Sequence, residues 1–94
     1  GNPKKLTQWL HAIQATYPMN PYITLFTGFG LVLSGQKENV QFEYDKSFHN
    51  VNRSEYWKER FIQFHLLEPL NRLPTSIDGV NDCLVVLRQQ CEIQ

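Results

Sequence analysis

Apolar residues recur at helical spacing near the start of the chain. Leu6, Trp9, Leu10, Ile13 and Tyr17 fall three or four apart, the separation that stacks side chains along one face of an α-helix. Asn2 before Pro3 supplies an N-cap and a first helical residue that needs no amide hydrogen. Pro18 and Pro21 stop the run. The pattern predicts a helix over 3–17, with Lys4 and Lys5 mildly opposed to its dipole.

The next segment supports two readings. Ile23, Leu25, Thr27, Phe29, Leu31 and Leu33 share one parity and Tyr22, Thr24, Phe26, Gly28, Gly30 and Val32 the other, in a stretch rich in β-branched and aromatic residues. The rival is a helix capped by Asn20-Pro21, with Tyr22, Leu25, Phe26, Phe29 and Leu33 as its stripe. Two interior glycines and two threonines count against that helix by about 2 kcal/mol in summed propensity. Val40, Phe42 and Tyr44 then alternate with Gln41, Glu43 and Asp45, as in a half-buried strand. Together the two stretches predict a β-hairpin turning at Ser34–Asn39.

Ser54 can cap a second helix, with Glu55 in its first turn. Trp57, Phe61 and Phe64, with Ile62 and His65, form its apolar side, and Pro69 ends it. Leu66, Leu67, Leu70 and Leu73 continue as a connector up to Pro74. In the last segment Val80, Cys83, Leu84, Leu87 and Cys91 fit a helix, while Cys83, Val85, Leu87, Gln89, Cys91 and Ile93 fit a strand. A third strand is the favoured choice, because an isolated hairpin is only marginally stable. The expected fold is therefore α+β: helix–strand–strand–helix–strand, a small mainly antiparallel sheet with helices on one face.

Ninety-four residues suit one domain with a single core. The first residues, Gly1-Asn2-Pro3, lack an initiator methionine, and the expectation is a domain excised from a longer or processed protein. Hydrophobic residues at 41% and aromatic residues at 13% supply enough apolar mass to fold. Nine basic and nine acidic residues cancel, whereas phosphate-binding domains usually carry a basic excess. No apolar run approaches the roughly 18 residues of a membrane helix. Cys83 and Cys91 are separated by about 12 Å on a helix and about 26 Å on a strand, too far for a mutual disulfide. Two thiols point to a cytoplasmic or otherwise reducing compartment.

Several residues invite chemistry. Gly28-Phe29-Gly30 lacks the strand, helix and further glycines of a phosphate loop and reads as a strand bend. His65 and Glu68 share a helical face, but neither they nor His11, His49, Cys83 and Cys91 have a zinc spacing. Glu43 and Asp45 would share the solvent side of a strand, with His49 just beyond. That cluster is the one candidate for a small enzyme. Cys91 as a nucleophile is disfavoured by Glu92 beside it. Asn52-Arg53-Ser54 matches a glycosylation sequon, although Ser54 already serves as a cap. No cofactor is expected.

The aromatic set on the second helix is more telling. Trp57, Phe61 and Phe64 suffice for a core face, which leaves Tyr56 pointing elsewhere, near Arg53 and Arg60. Exposed Tyr and Arg are the residue types of protein interfaces. The leading expectation is a non-enzymatic protein-interaction or regulatory domain, binding a protein partner or a second copy of itself through Arg53, Tyr56 and Arg60. The alternative is a nucleic-acid-binding module using Arg53, Tyr56, Lys58 and Arg60 on the helix at 53–66.

Overall fold

Residues 3–93 are described by a computed structural model, without the side chains of residues 3, 68–70 and 90–93. Helix α1 runs Pro3–Thr16, α2 Pro21–Leu33, α3 Val40–Asn52, α4 Glu55–Gln63, α5 Leu67–Arg72 and α6 Ile77–Ile93, with a single 3₁₀ turn at Lys37–Asn39. No strand occurs among the described residues, so the α+β expectation with its antiparallel sheet is overturned.

The centre of the molecule is α2. It packs most extensively on α3, then on α1, and also meets α6; α3 in turn meets α4 and α5. Asn20 caps α2, its side-chain oxygen accepting from the Tyr22 and Ile23 amides at 2.9 and 3.4 Å, with Pro21 at the first position. This is the rival helix, and its propensity deficit is outweighed. Leu25, Phe29, Leu31 and Val32 are all buried, each contributing about 1.5–3 kcal/mol. The threonines do not strand their hydroxyls, because Thr24 and Thr27 donate to the carbonyls of Pro21 and Ile23 at 3.1 and 2.6 Å. Gly28 is where Tyr44 of α3 crosses: a Cβ there would lie 2.7 Å from Tyr44 Cδ1. Gly28 is therefore part of a helix crossing, and the pair Gly28 and Gly30 lies within α2 and not in a strand bend.

The second expected strand is α3. Its buried residues are Val40, Glu43, Tyr44, Ser47, Asn50 and Val51, three or four apart. Phe42, assigned to the buried side by alternation, is exposed. Polar members of this stripe are tied down across the core. Ser47 Oγ donates to the Pro21 carbonyl at 2.8 Å, and the Tyr44 hydroxyl donates to the Pro74 carbonyl at 2.6 Å.

Two helix ends share one geometry. After α2, Gln36 N–H reaches Leu31 O at 2.9 Å and Gly35 N–H reaches Val32 O at 3.1 Å; after α4, Leu66 reaches Phe61 at 2.8 Å and His65 reaches Ile62 at 3.2 Å. Both are Schellman motifs, with Gly35 at φ 77° in one and His65 at φ 58° in the other. Burial of Leu66 and Phe61 supplies the apolar contact that holds the second. The second helix thus breaks before Pro69, which sits in the first turn of α5, where a missing N–H donor costs no intrahelical hydrogen bond. The final segment is helical, with Val80 and Cys83 buried and Leu84 and Leu87 packed against the core. The third-strand choice is corrected accordingly.

Candidate functional site

Helix α4 begins as expected: Ser54 Oγ accepts from the Trp57 amide at 3.4 Å. Phe61 is fully buried and stacks at 4.9 Å on Tyr22 of α2. Trp57 is half-buried, its ring edge-on to Tyr22 at 5.2 Å and to Tyr56 at 5.0 Å. Tyr56 is 55% exposed, and the Arg60 guanidinium lies 4.4 Å over its ring. Structure and sequence therefore coincide in setting Tyr56 outside the core and beside Arg60. Ile62, assigned to the apolar side, is exposed.

Arg60 Nε is buried and has no hydrogen-bond acceptor. Neither the Lys46–Glu43 ion pair at 3.1 Å nor the Lys58–Glu55 ion pair at 3.3 Å involves Arg60. Burial pushes the Tyr22 phenol above its ordinary range, partly opposed by the nearby Arg60 charge and reinforced by Tyr56. Tyr22 is therefore a neutral phenol at physiological pH. Arg53 is directed elsewhere: its Nη1 lies 3.4 Å from His49 Nε2 at the end of α3.

Beside Trp57 runs a shallow groove of about 240 Å³, lined by Tyr17, Pro18, Met19, Asn20 and Trp57. Tyr17 and Met19 are exposed at 58% and 55%. Tyr17 also continues the line of α1 through Leu6, Trp9 and Ile13. Along α1 the structure buries Thr7 and Leu10 and leaves Leu6 and Trp9 exposed, Trp9 at 61%. The sequence pattern reads 18–21 as a helix stop and as the cap of the rival helix. Met19 between two prolines, with Tyr17 just before them, was the available signal, because a turn has little core to bury large apolar side chains in.

The other candidates disperse. In a helix Glu43 and Asp45 point about 200° apart. Glu43 is only 3% exposed, accepts from Gln14 Nε2 at 3.2 Å and pairs with Lys46. Asp45 faces solvent and accepts from Gln41 at 2.8 Å, and His49 is exposed beside Arg53. The shared solvent face expected for the two carboxylates is thus corrected, and the enzyme candidate loses its geometry. No group of three potential metal ligands occurs among the described residues. The Cys91 and Glu68 side chains lie outside the described residues. Lys58, part of the alternative nucleic-acid face, is engaged by Glu55. A wider hollow of about 450 Å³ is lined by Val32, Gly35, Lys37 and the start of α6. There Ser76 Oγ is already used, accepting from the Gly79 amide at 2.9 Å. No described helix is long and apolar enough to cross a membrane. No family model matches the chain, and neither does any curated protein or solved structure.

Proposed function

We propose that this chain is a non-enzymatic protein-interaction domain whose partner docks on the rim formed by the 17–20 turn and the outer face of α4. The observation that carries this reading is the groove of Tyr17, Met19 and Trp57 flanked by exposed Tyr56 and by Arg60. Trp, Tyr and Arg dominate the energetics of protein interfaces because they bury large areas at small entropic cost and keep polar handles. Arg53, turned towards His49, is left out of this rim. A reducing compartment fits the same reading, since the Cys83 thiol is buried in the core and Cys91 is about 12 Å further along α6.

The test is affinity capture from a nuclease-treated lysate with two baits, the wild-type domain and Tyr56→Ala. A protein retained by the first and lost by the second supports the reading. Capture that vanishes with nuclease, or that is equal on both baits, contradicts it.

A further inference from the structure

We infer that the segment recognised by this rim is a peptide combining a large apolar side chain with a nearby carboxylate, the apolar group entering the Tyr17–Met19–Trp57 groove and the carboxylate pairing with Arg60. This rests on the interaction surface proposed above and specifies its partner.

The apolar half follows from the groove, whose lining is aromatic and thioether surface with Asn20 as the polar member. The acidic half follows from Arg60. Its Nε is out of water with no acceptor, and neither the Lys46–Glu43 nor the Lys58–Glu55 ion pair includes it. Lys58, two positions before it on α4, is already held by Glu55. A guanidinium lying over a ring is pre-oriented and weakly hydrated, and its planar fork matches a carboxylate. Arg60 is joined to the groove by continuous ring contacts: guanidinium over Tyr56, Tyr56 on Trp57, Trp57 in the groove wall. One such cation beside an apolar groove does not suit a nucleic acid, whose affinity is built from many phosphate contacts. It suits a single acid next to an anchor residue.

The experiment selects binders from a displayed random-peptide library on the intact chain. Selected peptides are then measured by fluorescence anisotropy against wild type, Arg60→Gln, Tyr56→Ala and Met19→Asp, each checked for a cooperative thermal melt. The expected result is enrichment of peptides holding Asp or Glu with an aromatic or large aliphatic residue. Replacing that acid by its amide weakens wild-type binding roughly tenfold or more, and Arg60→Gln removes the difference. Peptides that are lost on Met19→Asp yet indifferent to the amide exchange and to Arg60→Gln overturn the acidic requirement and leave the interaction surface standing. If no peptide is selected, or none weakens on Tyr56→Ala or Met19→Asp, the surface itself is refuted and this inference with it. Should Arg60→Gln fail to melt cooperatively, the amide exchange in the peptide decides alone.

Discussion

Tyr44 and Tyr56 sit on successive helices and carry the same side chain into opposite settings. Tyr44 is fully buried, its ring edge-on to Phe29 at 6.2 Å and pressed on Gly28, its hydroxyl donating to the Pro74 carbonyl. Tyr56 is more than half exposed, with an arginine for a lid and a tryptophan for a wall. The first joins three segments of chain at one point, α2, α3 and the residues before α6. The second has its ring contacts, to Trp57 and Arg60, within its own helix. One phenol is therefore a fastener and the other a presented surface, and the domain separates the two duties.

The contrast breaks most severely at Tyr44→Ala. Emptying that site should cost about 3–5 kcal/mol, a large share of the roughly 5–15 kcal/mol that holds a small domain, and urea unfolding should lose much of its folded baseline. Gly28→Ala attacks the same contact from the other helix. The added methyl meets the Tyr44 ring at 2.7 Å or closer, a clash worth about 1–3 kcal/mol against about 1 kcal/mol of helix propensity gained. Adding Tyr44→Leu should relieve that clash, and a double-mutant cycle that came out additive would disprove the steric explanation.

Tyr44→Phe keeps the ring and leaves the Pro74 carbonyl without its donor, for a loss of about 1–2 kcal/mol. It also carries a pH signature. Burial, with a smaller contribution from Cys83, raises the folded-state pKa of Tyr44 well above its ordinary value near 10. The stabilisation is complete below that ordinary value and is lost as pH rises from it towards the folded-state value. Urea midpoints should therefore fall on the alkaline side of about pH 10, less steeply in Tyr44→Phe, with Tyr22 supplying a residual slope in the same direction. His65→Gly should act oppositely, raising the thermal midpoint by relieving a left-handed histidine at the end of α4, for about 1 kcal/mol. Tyr56→Ala should move stability least, by under about 1 kcal/mol, since it gives up one exposed cation–π contact and one ring edge.

How much of this was legible in the sequence follows from how each helix is buried. Helix α1 was readable from its helical apolar spacing and its bounding prolines, although Leu6 and Trp9 of that stripe are exposed, and the cap of α4 because Ser54 is an ordinary N-cap. Helix α2 was not, because its residues 27–32 are all buried. A helix surrounded by protein has no polar face, so its period disappears and parity is left to mislead. Helix α3 hid for the converse reason: Glu43, Ser47 and Asn50 occupy its core stripe, and the partners of Glu43 and Ser47 on α1 and α2 are 29 and 26 positions away in sequence. With both central helices misread, the last segment was drawn towards a strand to complete a sheet. Tyr56 and Arg60 were readable as a pair because they lie one turn apart on a helix whose core face was already filled. The groove was not, because Tyr17 and Met19 join Trp57 only through the packing of α1, α2 and α4.

The most direct measurement pairs unfolding with binding in Tyr44→Phe and Tyr56→Ala, both held at a temperature where each is folded. Separation of duties predicts that Tyr44→Phe unfolds at lower urea yet retains the partner, while Tyr56→Ala unfolds at the wild-type midpoint and loses it. Loss of both properties in Tyr56→Ala, or undiminished partner capture by it, would contradict the assignment of α4's outer face.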